Sequence, residues 1–221
     1  GAFTCVGGGS SWRYTPYHIP HRTEVMGFMT ILHGDDRFCN NIFVQKWPKE
    51  DIITPHDSDD GFDTENRLAG TWEFDEYPTY EEWIAQFELD KPANMGKVEP
   101  YHFGHLPVWS EGNVYLGGAK AWKKETHCLE LSEEEPVRVE LKEEDGKIFL
   151  DTNIYELIKD FKGRMIHTGT LGKAFEPEQS FENPDGTPIT FDTDYFGSHR
   201  GVDVVPGPFA GEKDACKALI R

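Results

Sequence analysis

No apolar run in the 221 residues approaches the ~20 needed to span a bilayer. Positive charge is scarce: 22 Lys and Arg stand against 40 Asp and Glu, a formal net charge of −18. A surface that acidic repels phosphate backbones and anionic headgroups, which excludes nucleic acid and membrane as partners but not neutral polyhydroxyl ligands. Cysteine is sparse. Cys5, Cys39, Cys128 and Cys216 lie far apart and form no CxxC pair. They read as free, mostly buried thiols of a reducing, cytoplasmic compartment, with a disulfide framework as the alternative. Several signatures are missing altogether: GxSxG, a Walker loop, GxGxxG after a strand, and a Cys-His nucleophile pattern. Their absence removes most common enzyme classes, and no cofactor is called for.

Glycine (22) and proline (14) are plentiful, and six Trp raise the aromatic share to 13%. This composition favours many short strands joined by turns. Ala2–Gly7, Glu24–Leu32 and Phe38–Gln45 read as flat strands, the second apolar on both faces, as in parallel arrangements. Their spacing, with Asn at the corners, fits the coils of a solenoid. Asn40-Asn41 before Ile42-Phe43-Val44 is such a corner. Gly112-Asn113-Val114-Tyr115-Leu116-Gly117-Gly118 repeats the pattern, as a coil returning after an insertion would. The predicted organisation is terminal coils over 1–47, a loop and short-helix insertion over 48–110, and a returning coil with a β-hairpin region over 111–221. Within the insertion Asp51–Asp63 is an acidic loop. Thr79–Leu89 is an amphipathic helix with Thr79 as N-cap, Glu81 and Glu82 at its positive end and Trp83, Ile84 and Phe87 on its apolar side. Residues 90–109 read as irregular and aromatic. Farther on, Glu144-Asp145-Gly146 between alternating segments predicts a hairpin. Asn153–Phe161 predicts a helix, Glu182–Thr187 a turn before a strand over Pro188–Phe191, and the residues from Ala210 a loosely held tail.

The densest polar constellation is Tyr14–Glu24 (YTPYHIPHRTE) followed by His33–Arg37 (HGDDR), at the two ends of one apolar strand. Tyr17, His18, His21, Arg22, Glu24, Asp35, Asp36 and Arg37 are its candidate ligand-binding groups, with Trp12 and Tyr14 as further aromatic faces. Hydrogen-bonding side chains beside flat rings suit a neutral sugar. The rival reading is a network of salt bridges closing solenoid corners. His18 and His21 lack the helical i, i+4 spacing of a metal pair and have no third ligand, so no metal is expected there. Asp57, Asp59, Asp60 and Asp63 around Gly61 lack the ligand order of a calcium loop. Glycoside hydrolysis needs two carboxyls ~5–9 Å apart, a distance that sequence spacing cannot supply.

The stretch RYTPYHIPHRTEVMGFMTILHGDDRFCNNIFVQ, Arg13–Gln45, resembles the late coils of bacterial right-handed parallel β-helix proteins of the glycoside hydrolase family 120 type, whose activity is β-xylosidase. Ala174–Phe209, with FEPEQ, FENPDGTPITFDTDYFGSHRG and PGPF, is similar to their C-terminal region. The resemblance implies a mainly β fold: the last coils of a right-handed parallel β-helix, with a loop and helix insertion and a C-terminal β-rich region. It also implies a retaining exo-acting glycoside hydrolase that releases xylose from xylo-oligosaccharides through an Asp nucleophile and a Glu acid/base. The resemblance further implies that both catalytic carboxylates lie on coils before the equivalent of Gly1. This chain would then supply substrate-binding groups. Its expected partners are a xylo-oligosaccharide or related neutral sugar, the N-terminal β-helix portion, and further copies of itself. The competing readings are a β-helix polysaccharide lyase, for which −18 is an awkward charge, and a non-catalytic carbohydrate-binding or assembly module.

Overall fold

The structure is a computed structural model describing residues 35–45, 68–72, 78–85, 107–175, 178–211 and 217–220. The chain divides into two compact units. One comprises Gly1–Arg37, Glu76–Trp109 and His167–Thr190, the other Phe38–Asp75, Ser110–Ile166 and Phe191–Arg221. The described residues are mainly β, with a few helices of four or five residues. None of those helices is long and apolar enough to cross a membrane. The expected strands Ala2–Gly7 and Glu24–Leu32 and the acidic loop Asp51–Asp63 lie outside the described residues.

β1 (Asp36–Cys39) and β3 (Val108–Glu111) pair with each other. In the second unit β2 (Ile42–Val44), β4 (Asn113–Leu116) and β5 (Cys128–Glu130) form a parallel sheet with β4 in the middle. The register sets Ile42 against Val114, Phe43 against Tyr115 and Val44 against Leu116. The Asn-then-apolar pattern shared by the two segments is thus laid strand on strand, across the long connection that parallel pairing requires. Every residue of β4 is buried, as a strand covered on both faces must be. On one face Val114 and Leu116 join Ile154, Tyr155, Ile158, Phe209 and Ala218 in a core edged by Ile42, Val44, Leu129 and Leu131. On the other, Phe43 stacks on Tyr115 with ring centroids 5.1 Å apart.

Asparagine holds the corner of this sheet. Asn113 Oδ1 accepts from the Asn41 backbone N–H at 2.8 Å and from Asn41 Nδ2 at 3.1 Å, while Asn113 Nδ2 donates to Phe38 O at 2.8 Å. A side-chain amide can do both because it carries acceptor and donors together. Asn40, at φ 56°, occupies the left-handed region that Asn tolerates. Its Nδ2 donates to Arg164 O at 2.9 Å. Gly112 and Gly163 lie so close to the Asn40 amide that a Cβ on either would overlap it.

The predicted hairpin is present. β6 (Val139–Glu144) and β7 (Lys147–Thr152) pair antiparallel with Glu144 opposite Lys147. Asp145 and Gly146, at φ 52° and 72°, are the two left-handed residues of a type I′ turn. The following helix, α2 (Ile154–Leu157), is shorter than the sequence predicts. Asn153 does not cap it: its Nδ2 donates to Pro136 O and its Oδ1 accepts from Arg138 N, both on the approach to β6. β8 (Gly163–Arg164) and β9 (Asp203–Val204) form a short antiparallel pair. The expectation of a loose tail fails at its end, where β10 (Lys217–Leu219) pairs antiparallel with β7. Ala218 is small enough to enter the core, and Ile220 packs beside it.

In the first unit α1 (Tyr80–Ile84) starts where Thr79 predicts. Thr79 Oγ1 accepts from Glu82 N, and Glu82 Oε2 accepts from Thr79 N at 2.8 Å, a reciprocal capping box. The side chains of Trp83 and Ile84, and Phe87, are outside the described residues. A helix the sequence reading did not foresee, α3 (Thr168–Leu171), lies before the predicted Glu182–Thr187 turn. His167 caps it, with Nδ1 accepting from Gly169 N at 3.1 Å. In the turn itself Asp185 Oδ1 accepts from both Thr187 N and Thr187 Oγ1. Pro188–Phe191 forms isolated bridges, Glu182 with Pro188 and Thr190 with His167, rather than the expected strand.

The sheets are thus mixed: parallel around β4, antiparallel around β7 and between β8 and β9. This pairing does not by itself amount to the stacked coils of a parallel β-helix.

Candidate functional site

Of the side chains predicted to bind ligand, Tyr17, His18, His21, Arg22 and Glu24 lie outside the described residues. Asp35, Asp36 and Arg37 are described, and they belong to the first unit. Asp36 opens β1 half-exposed. Asp35 and Arg37, one residue to either side, are brought together as a largely buried ion pair, their side chains 3% and 10% exposed.

Asp35 takes φ 53°, which bends its carboxyl back toward Arg37. Arg37 Nη1 donates to Asp35 O and Oδ1, both at 2.6 Å. Its Nε donates to Leu171 O, at the C-terminal end of α3, and its Nη2 to Lys173 O, each at 2.8 Å. The Leu171 carbonyl is one the last turn of the helix leaves unpaired, and a cation suits that end. The guanidinium plane lies 4.4 Å from the Phe181 ring centroid and 5.5 Å from that of Trp109. Arg37 is therefore spent on protein carbonyls and rings. The Asp35 carboxylate is equally occupied: Oδ1 also accepts from Trp109 Nε1 at 2.9 Å, and Oδ2 from Phe175 N at 3.0 Å.

What this arrangement presents outward is an indole. Trp109, on β3, is pinned by its N–H to Asp35 and covered in part by Arg37, yet remains 38% exposed. Tyr80 of α1 stands 6.4 Å from it and meets Phe175 edge-on at 4.8 Å. A fixed, flat, half-wet ring beside a second aromatic is suited to stacking against the apolar face of a neutral ring ligand. Proton transfer is a poor fit, because both Asp35 oxygens are held by donors. The sequence reading named Asp35 and Arg37 as ligand-binding groups, whereas here they bind protein groups; it named none of Trp109, Tyr80, Phe175 and Phe181. Its one relevant signal was the aromatic character of residues 90–109.

The second unit holds another buried carboxylate, Glu125. Oε2 accepts from Ser110 Oγ at 2.5 Å and Tyr115 Oη at 2.7 Å, and Oε1 from Asn113 Nδ2 at 2.9 Å. Tyr115 Oη also meets Thr71 Oγ1 at 2.8 Å. Burial pushes the Tyr115 phenol far above its usual range, with Glu125 adding to the effect. Burial, with Glu125 and Glu130 beside it, likewise raises the Cys128 thiol. Every group in this cluster answers another, which makes it a scaffold for the Asn113 corner. Among the described residues no group of three or more His, Cys, Asp or Glu could hold a metal ion.

A protein solved with a sugar shares this fold. The structure described as "The complex structure of XylC with xylose" superposes with a TM-score of 0.66 at 28% sequence identity, over 88% of this chain. The chain spans 27% of that protein's length. No protein-family model matches the chain, and no curated protein does.

Proposed function

We propose that the protein carrying this chain is a glycoside hydrolase of xylosides, a retaining exo-β-xylosidase that frees xylose from xylo-oligosaccharides. The observation behind the proposal is the likeness to a xylose complex, at 28% identity over 88% of the chain. In this reading the parallel strands β2, β4 and β5, with asparagines stacked at their corner, are the last coils of a right-handed parallel β-helix. The catalytic Asp and Glu belong to the remainder of the protein. Trp109 is the sugar-stacking face in the first unit, and Asp35 and Arg37 hold it in position. The net charge of −18 suits a neutral xyloside better than an anionic uronate polymer. Cys128 is a free thiol, in keeping with a cytoplasmic setting.

The test uses the full protein on aryl β-xyloside, aryl β-glucoside and xylobiose, with the first anomer released read by proton NMR. Xylose release with β-anomer retention, and a preference for the xyloside, is expected. Failure to cleave either xyloside overturns the assignment. Unsaturated product from a uronate polymer, seen by its ultraviolet absorbance, would place the protein among the lyases instead.

A further inference from the structure

We propose that an aromatic corner at Tyr195–Phe196, in the second unit, is an accessory binding site for the chain of a β-linked xylan. The inference rests on the xyloside reading above. Tyr195 and Phe196 are 57% and 45% exposed. They meet at 83°, with centroids 5.2 Å apart, while Phe196 stacks nearly parallel (8°) on the buried Phe209 at 5.3 Å. The pair thus makes a floor, Phe196 backed by Phe209, and an upright wall, Tyr195.

Both rings are held before any ligand arrives. Asp194 Oδ1 accepts from Phe196 N at 2.9 Å and Ser198 N at 2.7 Å, and Oδ2 from Ala210 N at 3.0 Å. Tyr195 N donates to Pro208 O, and its hydroxyl to Ile220 O at 3.2 Å. Beneath them the buried Arg200 ties the loop by donating to Thr193 O, Val205 O and Gly207 O. Ordering the site on binding therefore costs little further entropy. Ser198, His199 and Asp192 lie alongside, His199 and Asp192 3.9 Å apart, as polar groups within the same turn.

The shape favours xylose among sugars. A β-xylopyranose carries all its hydroxyls equatorially, so both of its faces are axial C–H surfaces that stack on a flat ring. It also lacks the hydroxymethyl group that would collide with an upright wall. The acidic surface accepts such a neutral chain without charge repulsion.

The test is native electrophoresis of the full protein through gels with and without soluble β-1,4-xylan, alongside its hydrolysis of aryl β-xyloside. Wild type is expected to be retarded by xylan. Phe196→Ala and Tyr195→Ala are expected to weaken retardation about tenfold, a loss of ~1.4 kcal/mol, and Phe196→Trp to preserve it. Melting curves confirm that each variant is folded. Equal retardation of wild type and folded Phe196→Ala overturns the proposal. So does a wild-type dimer that Phe196→Ala disperses without any xylan effect, because the corner would then hold a second copy of the chain. Hydrolysis without retardation removes this site and leaves the xyloside reading standing, whereas the loss of hydrolysis removes that reading.

Discussion

Arg37 illustrates why a buried charge is best judged by what surrounds it. With its partner in place the guanidinium is satisfied by a carboxylate, two further carbonyls and two rings. Asp35→Ala would leave that cation buried and uncompensated, at a cost of about 3–5 kcal/mol. The same change also frees the Trp109 N–H, a smaller loss of at most about 0.5–1.5 kcal/mol because the indole is exposed and water can take the vacated place. Asp35→Ala should therefore lower the urea midpoint strongly and, on the proposed xyloside reading, raise KM of the full protein for xylobiose. Trp109→Ala should raise KM with only a modest change in stability. If Trp109→Ala left KM unchanged, the indole would have no role in binding sugar. Asp194 yields a different kind of prediction. Partial burial pushes its carboxyl up, but the N–H groups of Ala210, Ser198 and Phe196, together with Arg200, outweigh this and hold it below its ordinary value. The folded state therefore binds the proton later than the unfolded chain does. The stability this contributes is present above about pH 4, the ordinary carboxylate value, and is lost as pH falls through the depressed one. Asp194→Asn, which cannot accept through both of its terminal atoms, should lower the midpoint at neutral pH and flatten its acid decline. Urea titrations between about pH 6 and pH 3 decide the matter: an unchanged acid slope would acquit Asp194.

The corner formed by Asn40, Gly112 and Gly163 shows how tightly the strands constrain one another. A Cβ on Gly163 would overlap the Asn40 amide, and Asn40 cannot swing away without losing its bond to Arg164 O. Gly163→Ala should cost about 1–3 kcal/mol, as overpacking does. Asn40→Gly suits the left-handed φ of 56° and removes the obstruction, so the double variant should be more stable than the two single losses predict. Simple additivity in chemical denaturation would mean that the two residues do not touch. Elements such as this were legible where the signal is local. Asn before a short apolar run marked β2 and β4, Asp-Gly marked the β6–β7 turn, and Thr79 with Glu82 marked the start of α1. β10 was missed because Lys-Ala-Leu carries no strand pattern of its own; it forms because Ala218 fits the core beside β7. Within the candidate site only the Asp35–Arg37 pair carried such a local signal. Asp35 and Arg37 stand out together in one short motif. The residues they position, Trp109 and Phe175, are 74 and 140 positions away along the chain, and no spacing rule reaches that far.

Charge acts on the chain as a whole, and here two opposing effects of salt must be weighed. Surface pairs such as Arg138–Asp151, Arg164–Glu111 and Lys217–Glu144 favour the folded state. Each contributes roughly 0–1 kcal/mol and is weakened by salt. Against them stands the arithmetic of composition: with 40 acidic and 22 basic side chains, even complete pairing leaves eighteen carboxylates without a cation. Their mutual repulsion is stronger in the compact state than in the extended one. Raising the ionic strength from about 0.01 M to about 0.15 M shortens the Debye length from ~30 Å to ~8 Å. That removes most of the long-range repulsion but only part of each contact at bonding distance. Tm should therefore rise over this interval of sodium chloride. Chloride is the salt to use, since sulfate would stabilise by surface exclusion whatever the charge. A Tm that falls with sodium chloride would mean that local ion pairs outweigh the net charge. The acidic surface would then have to be treated as a paired network rather than as a repulsive field.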